Sequence, residues 1–246
     1  MNNFFSIVVD TCNHEKWISK CLDSCIIQKY DNFEIVIVDA KSDDNTYQIC
    51  EDYKNKNSNI RLYQNEVRLP QVANFIWLSK LSKDNSIVVS IDGDDWFKDE
   101  NVLNKLNEVY NSGDVWMTYG TYEEFPYRDV RFHYQTYPND VIESNTFREY
   151  KWLASHLRTF RKELILKINE SDLRGEDGLW LPTTGDQAVM LPMLEMAHDK
   201  SRYISDILYV YNVSDITRDS SVNEQKQIEL ANYIRSNKKY IKIDTL

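Results

Sequence analysis

The chain has 246 residues, of which 42% are hydrophobic, and a formal net charge of −10. This length and apolar content are enough for one α/β domain with a sizeable core, with or without an appendage. The negative charge argues against a broad nucleic-acid footprint, because binding to a phosphate backbone depends on Lys and Arg. A nucleotide ligand remains compatible with it, since a metal ion can screen nearby carboxylates.

Strands and helices are predicted to alternate along the first half. β-branched runs predict the strands, and apolar residues at helical spacing predict the helices between them. The predicted strands are 4–9, 33–38, 60–64, 86–91 and 115–119, and the predicted helices are 15–28, 45–55, 71–82 and 101–111. This alternation implies a mostly parallel sheet covered on both faces, with ligands bound beyond the carboxyl ends of its strands.

Fewer elements are predicted in the second half. They are a strand over 156–161, an apolar helix over 187–197 and a C-terminal helix over 224–242. The last helix has a basic end formed by Arg235, Lys238, Lys239 and Lys242. Such a charge run usually forms a solvated face; contact with an anionic membrane surface is the alternative.

The four cysteines, Cys12, Cys21, Cys25 and Cys50, include no close Cys-x-x-Cys pair. Their spacing argues against a zinc site, and reduced thiols in a cytosol are the simplest interpretation. The sequence shows no signal peptide and no apolar run long enough to span a bilayer. We therefore expect a cytoplasmic protein without a transmembrane segment, and the oligomeric state is left open.

An acidic segment follows the predicted strand 86–91 and reads Asp-Gly-Asp-Asp-Trp over 92–96. Alternate residues of an extended segment point the same way, so Asp92 and Asp94 can converge while Asp95 faces elsewhere. Mg²⁺ and Mn²⁺ take oxygen ligands and usually keep substrate phosphates as partners. The segment predicts a metal site, and a solvated acidic loop is the alternative.

Two other predicted strands also end in polar segments, 10–13 and 39–46. The carboxyl ends of parallel strands share one edge of a sheet, so both segments are expected beside the acidic one. The second segment opens a helix, where backbone amides can face an anion or a polar ring. Asp39 would accept hydrogen bonds from a base or ribose, or else form a turn or cap.

The segments 5–13, 33–46 and 91–96, in this order and at this spacing, resemble the family 2 glycosyltransferases of GT-A fold. Segments 184–187 and 209–212 are similar as well. The resemblance implies an α/β, Rossmann-like fold with a mostly parallel central sheet, helices on both faces and a C-terminal acceptor-side subregion. It also implies inverting transfer of a sugar, usually from a UDP-sugar, to a hydroxyl acceptor with Mn²⁺ or Mg²⁺. The acceptor would be a glycan or a lipid-linked or protein-linked group.

By the same resemblance, residues 1–120 would form a nucleotide-sugar-binding half and 121–220 an acceptor-binding and catalytic half of one domain. Residues 221–246 would form a C-terminal helix. Asp39 would contact the base, Asp92 the ribose and metal, and Asp94 the metal, while Asp186 would deprotonate the acceptor. The other donor-side candidates are Thr11, Asn13, Arg68 and Gly93.

Several positions depart from the family pattern: Asp10 replaces Pro, Cys12 an aromatic residue, Ala40 a second acid and Ala73 an Arg. Arg68 is near enough in sequence to substitute for that Arg. A late His that often binds the metal in this family has no clear match over 212–218.

Independently of the resemblance, the chemistry of sugar transfer requires two acidic sites. A sugar hydroxyl is a poor nucleophile, so a positioned carboxylate must take its proton. The diphosphate leaving group gathers charge, which a metal ion stabilises. Segment 173–187 supplies Glu176, Asp177 and Asp186. We prefer Asp186 because it opens a helix that would hold it rigidly; Asp177 is the fallback, and a plain N-cap is the alternative role of Asp186.

An aromatic and polar region over 119–161 predicts either a platform for sugar faces or a second small core. Its members are Tyr122, Phe125, Tyr127, Phe132, His133, Tyr134, Tyr137 and Trp152. His156 and Arg158 share one strand face and, with Trp96, are candidates to contact the acceptor or the diphosphate. A surface strand with solvated charges is the alternative.

Two other classes of function are compatible with these residues. A nucleotidyltransferase shares a nucleotide-binding sheet and an acid-held metal, and it would release pyrophosphate rather than UDP. A non-catalytic nucleotide-sugar-binding module would keep the sheet without turnover.

Overall fold

The fold is that of a computed structural model, which describes residues 2–128, 134–214 and 224–246. Phe132 and His133 of the aromatic region, and residues 215–218 of the segment 212–218, lie outside the described residues.

The predicted elements are present in the predicted order, with most ends shifted by a few residues, and the structure adds elements at 96–97, 139–143, 162–165 and 201–212. The strands are β1 (Phe5–Thr11), β2 (Phe33–Asp39), β3 (Ile60–Gln64), β4 (Ile87–Asp92), β5 (Trp96–Phe97), β6 (Met117–Phe125), β7 (Ser155–Arg161) and β8 (Ser201–Asn212). The helices are α1 (Ile18–Ile26), α2 (Thr46–Lys56), α3 (Gln71–Leu81), α4 (Val102–Asn111), α5 (Asn139–Glu143), α6 (Lys162–Ile165), α7 (Gly185–Ala197) and α8 (Glu224–Ser236).

The strands form one eight-stranded sheet in the order β3-β2-β1-β4-β7-β6-β8-β5. The first four are parallel, and β6 is parallel to β8, whereas β7 lies antiparallel between β4 and β6. The expected mostly parallel sheet is therefore confirmed. The register places Thr11 beside Asp39 and Asp10 beside Asp92, so the ends of β1, β2 and β4 meet at one edge.

Both faces of the sheet are covered, because side chains alternate along each strand. Val8 of β1 belongs to a core that includes residues of α3 and α7. Ile7 and Val9 face the opposite side, in a core that includes residues of α1 and α4. Burying an aliphatic side chain of this size contributes roughly 1.5–3 kcal/mol, so these alternating positions account for much of the stability of the sheet.

The C-terminal segment is anchored to the same domain by a buried ion pair. Arg148 donates to Glu195 from Nε at 2.6 Å and Nη2 at 2.9 Å, with side chains 3% and 0% exposed. Arg148 also donates to the carbonyl of Ile234 in α8. Glu195 accepts from the backbone N–H of Tyr240 at 2.9 Å. The predicted helix 224–242 therefore ends early, at Ser236, because the following chain hydrogen-bonds to α7.

The basic end of this segment is largely paired within the chain. Arg235 donates to the carbonyls of Arg148 and Tyr150. Lys239 pairs with Glu149 at 2.5 Å, and Lys242 pairs with Asp199 at 2.7 Å. These partners reduce the positive charge that a membrane surface would meet.

We expect Glu195→Ala to lower the free energy of unfolding by about 3–5 kcal/mol, because it leaves the Arg148 guanidinium buried without its carboxylate. Urea denaturation followed by circular dichroism measures the change. Glu108→Ala is the control, since Glu108 is 73% exposed and pairs with Lys105 only at 3.9 Å. Equal stability of the two variants would show that the buried pair does not anchor the C-terminal segment.

Candidate active site

A cavity of about 890 Å³ lies at the edge where β1, β2 and β4 end. It is walled by the polar segments after those strands, by β7, by the start of α7 and by α8. Its lining includes Asp10, Thr11, Asn13, His14, Arg68, Gln71, Asn74, Asp92, Asp94, Trp152, His156, Arg158, Asp186 and Gln227.

The side chains of the acidic segment after β4 point in the predicted directions. Asp92 and Asp94 both line the cavity, and Asp92 Oδ1 accepts a hydrogen bond from Gln71 Nε2 at 2.8 Å. Asp95 is fully buried and points away, accepting from Tyr209 Oη at 2.7 Å and the backbone N–H of Asn212 at 2.8 Å. Burial, followed by the charges of Asp94 and Asp92, raises the pKa of Asp95 well above its usual value. Asp95 therefore ties the acidic segment to β8.

Gly93 is required by close packing between the two cavity-lining aspartates. A Cβ at this position would lie 2.6 Å from Thr11 Cβ and 2.9 Å from His14 Nδ1. No side chain fits without moving the loop after β1. The structure thus gives Gly93 a packing role, and its predicted contact with the donor stays a prediction.

Asp39 is fully buried at the end of β2. Its carboxylate accepts from the backbone N–H of Ser42 at 3.0 Å, from Gln64 Nε2 at 2.9 Å and from Ser42 Oγ. Among the described residues, those that line the cavity do not include Asp39. These bonds agree with the turn-forming alternative, and the base contact stays a prediction.

The remaining donor-side candidates line the cavity. Asn13, at φ 59°, links two loops, because its N–H donates to Ser42 Oγ at 2.9 Å and its Oδ1 accepts from the N–H of Asp43 at 2.8 Å. Arg68 donates to Asp43 at 2.8 Å and to the carbonyl of Lys41 at 3.1 Å. The loops after β1 and β2 therefore form one connected wall.

Asp10 lines the cavity, as expected of the polar segment 10–13, although no role was predicted for its side chain. It accepts from Asn74 Nδ2 at 3.0 Å, and Asn74 Oδ1 accepts in turn from Asn65 Nδ2 at 2.6 Å. Burial, followed by the charge of Asp92, raises the pKa of Asp10 to about 8. The raised pKa favours the protonated form of Asp10, and a proton on Asp10 reduces its repulsion with the Asp92 carboxylate.

Asp186 lies in the first turn of α7 and faces the same cavity as Asp92 and Asp94. Its Oδ2 accepts from Arg158 Nη2 at 3.1 Å. Arg158 is held from the other side, since its Nε donates to the carbonyl of Ala154 at 3.3 Å. The N-cap of α7 is Thr184, so the plain N-cap role weighed for Asp186 is wrong.

His156 also lines the cavity, from β7. Its ring stacks on Tyr209, with centroids 4.5 Å apart, and on Tyr211, with centroids 5.3 Å apart. His156 and Arg158 thus both line the cavity, and Arg158 contacts Asp186. Their contact with the acceptor or the diphosphate stays a prediction. The alternative of a solvated surface strand is wrong, because β7 is an inner strand of the sheet.

Other candidates lie elsewhere in the described structure. Asp177 is exposed in a turn, where its Oδ1 accepts from the N–H of Leu179 at 2.9 Å. Trp96 packs against Trp17 and Phe125 at centroid distances of 6.0 and 5.2 Å, under the ammonium group of Lys20. Neither Asp177 nor Trp96 is among the described residues that line the cavity.

The aromatic region divides between core and cavity. Tyr122 and Tyr137 are buried, and Tyr137 packs edge-on against Phe147 with centroids 5.1 Å apart. Trp152 instead lines the cavity. Among the described members, Tyr122 and Tyr137 therefore belong to the two cores that cover the sheet, whereas Phe125 and Tyr127 are exposed.

Residues 6–168 match the model of a family described as "Glycosyl transferase family 2". The chain belongs to this family. Its relatives include the glycosyltransferase GlyG of Streptococcus pneumoniae, 27% identical over 228 residues, which are 86% of this chain and 71% of GlyG. A dolichyl-phosphate-sugar glucuronosyltransferase of Methanococcus voltae is 43% identical over 70 residues, 27% of this chain and 22% of that protein.

Solved structures agree with the fold of this family member. TarS 1–349 of S. aureus, in complex with UDP-GlcNAc, superposes with a TM-score of 0.72 at 21% identity. The match covers 94% of this chain and 65% of the TarS chain. The mannosyltransferase PcManGT of Pyrobaculum calidifontis, in complex with GDP-Man and Mn²⁺, superposes with a TM-score of 0.68 at 17% identity. The match covers 98% of this chain and 66% of the PcManGT chain. The predicted GT-A fold is therefore confirmed.

The chain spans 22% and 30% of two of its curated relatives, the Methanococcus voltae protein and the S. pneumoniae glycosyltransferase GlyA. In the part of the chain that the structure describes, no helix combines the length and the apolar character needed to cross a membrane.

Proposed function

We propose that this family 2 protein transfers a sugar from a UDP-sugar to a hydroxyl acceptor with inversion, assisted by Mn²⁺ or Mg²⁺. The observation that carries the proposal is that Asp92, Asp94 and Asp186 line one cavity. An inverting transfer needs a stabilised diphosphate and a general base at one site. In this cavity Asp92 and Asp94 would hold the metal ion that stabilises the diphosphate, and Asp186 would be the base. The complexes of TarS with UDP-GlcNAc and of PcManGT with GDP-Man support a nucleotide-sugar donor.

The carboxylates of the cavity fit a divalent ion that is also bound by the substrate. Among the described residues, no three or more His, Cys, Asp or Glu side chains form a ready metal cage. Mg²⁺-type sites, however, often use only one or two carboxylates and complete their shell with water and phosphate oxygens. Asp94 and Asp92 would hold the ion, which when bound neutralises charge on the departing diphosphate.

Asp186 would take the proton of the acceptor hydroxyl. As that oxygen bonds to the anomeric carbon, the bond from this carbon to the diphosphate oxygen breaks and the proton moves to the Asp186 carboxylate. Arg158 fixes the carboxylate through Oδ2, while the N–H of Gln187 donates to Oδ1 at 2.8 Å. The carboxylate is 31% exposed, which leaves it accessible from the cavity.

The acceptor would lie against the wall formed by Trp152, residues 181–184 and α8. This wall is held together by contacts between α8 and the segment before α7. Gln227 Nε2 donates to Thr183 Oγ1 at 3.4 Å, and Thr184 Oγ1 donates to the Gln227 carbonyl at 3.5 Å. The C-terminal helix is therefore proposed as part of the acceptor-binding half.

A thermal-shift screen of UDP- and GDP-sugars with Mn²⁺ or Mg²⁺ tests the donor, because a ligand that binds only the native state raises the apparent stability. Product analysis then tests the reaction. We expect UDP as the released nucleotide. Release of pyrophosphate would identify a nucleotidyltransferase, and UDP binding without transfer or donor hydrolysis would identify a non-catalytic module.

We expect Asp39→Ala to weaken UDP binding about tenfold, the effect of losing a hydrogen bond to a charged group, with a much smaller loss of kcat. Titration calorimetry with UDP and steady-state kinetics measure the two effects. Ser42→Ala is the matched control, because it removes a turn contact of Asp39 while keeping the carboxylate. Equal loss of UDP affinity in both variants would assign Asp39 to the turn rather than to the base.

A further inference from the structure

His14 is held firmly in the loop after β1. Its backbone N–H donates to Thr46 Oγ1 at 2.8 Å, and its carbonyl accepts from the N–H groups of Trp17 and Ile18, each at 2.8 Å. The backbone is thus tied to α2 on one side and to the turn that enters α1 on the other. The imidazole ring therefore lines the cavity from a backbone that is held in place on both sides.

The two ring nitrogens of His14 have different surroundings. Nδ1 lies 3.2 Å from Thr11 Oγ1, and Nε2 lies 4.0 Å from Asp94 Oδ1. If Nδ1 carries the proton and donates it to Thr11, the lone pair of Nε2 faces Asp94. A hydrogen bond from the other ring nitrogen is the usual device that orients a metal-binding imidazole.

The spacing between Nε2 and Oδ1 suits two ligands of one ion. Two atoms bound at about 2.1 Å lie about 3.0 Å apart when adjacent in an octahedron and about 4.2 Å apart when opposite. The observed 4.0 Å is close to the separation of two opposite ligands. The His14 side chain is 26% exposed and that of Asp94 14%, and both line the cavity.

Gly93 keeps the ring and the acidic segment at this separation. His14 Nδ1 and Thr11 occupy the space that any side chain at residue 93 would need. The Asp-Gly-Asp turn is therefore packed directly on the Thr11–His14 pair, which restricts the approach of the imidazole to Asp94.

We propose that His14 is a nitrogen ligand of the divalent ion held by Asp94; this inference rests on the metal-dependent function proposed above. An imidazole is a softer ligand than oxygen, and Mg²⁺ binds through oxygens almost exclusively. The site therefore selects Mn²⁺ over Mg²⁺.

Electron spin-echo envelope modulation of Mn²⁺ bound to the full chain with UDP tests this proposal. We expect coupling to a directly bound nitrogen in the wild-type protein. His14→Asn should abolish the coupling and weaken Mn²⁺ binding by at least about tenfold. The matched control is His198→Asn, because His198 does not line the cavity among the described residues.

Other results would overturn the proposal. Mn²⁺ that binds in an Asp94-dependent manner without nitrogen coupling would exclude His14 as a ligand while leaving the proposed function intact. Coupling that persists in His14→Asn would assign the nitrogen to another residue. Absence of Mn²⁺ binding to the wild-type protein with UDP would refute both the His14 ligand and the metal dependence. The wild-type spectrum decides the presence of a nitrogen ligand even if the variant fails to fold.

Discussion

Asp94→Asn is expected to reduce sugar transfer by at least about a hundredfold, the scale for losing a group that stabilises charge in a transition state. The amide removes a charged oxygen ligand from the cavity but changes little in volume. The backbone carbonyl of Asp94 accepts from Asn212 Nδ2 at 3.1 Å, and this bond survives the substitution. The fold should therefore remain intact.

Initial rates of UDP release over a Mn²⁺ titration measure the loss, and thermal unfolding checks the fold. Asp99→Asn is the matched control. Asp99 is exposed and its Oδ1 accepts from the N–H of Asn101 at 2.8 Å, which an amide oxygen can also do. Near wild-type rates of Asp94→Asn with an unchanged Mn²⁺ dependence would disprove the metal assignment.

Asp186→Asn is expected to lower turnover by at least about a hundredfold, the usual contribution of a general base. The amide cannot take a proton at neutral pH, although its oxygen can still accept from Arg158. Binding of the UDP-sugar and Mn²⁺ should be unchanged, because the proposed donor site is built from the ends of β1, β2 and β4.

Single-turnover rates measured at saturating donor isolate this effect from binding. Asp177→Asn serves as the matched control, since Asp177 lies in an exposed turn outside the described cavity lining. Loss of transfer in Asp177→Asn with retention in Asp186→Asn would reverse the assignment of the base.

The sequence by itself determined the family, the alternation of strands and helices from β1 to β4, and the polar segments that follow β1, β2 and β4. β3 occupies the predicted range 60–64, and α3 begins at the predicted residue Gln71. Such local features follow from side-chain periodicity, which a single strand or helix already displays. The orientation of the acids after β4 could also be predicted, because alternation along an extended segment separates Asp95 from Asp92 and Asp94.

Only the tertiary structure decided which side chains meet. The insertion of antiparallel β7 between β4 and β6 brings Arg158 to Asp186, 28 residues further along the chain. Packing of the loop after β1 on Gly93 places His14 beside Asp94, and the Arg148–Glu195 pair ends α8 before the predicted residue 242. These contacts join residues that are distant in sequence, so no local pattern encodes them; they follow from strand order and from the burial of charges in pairs.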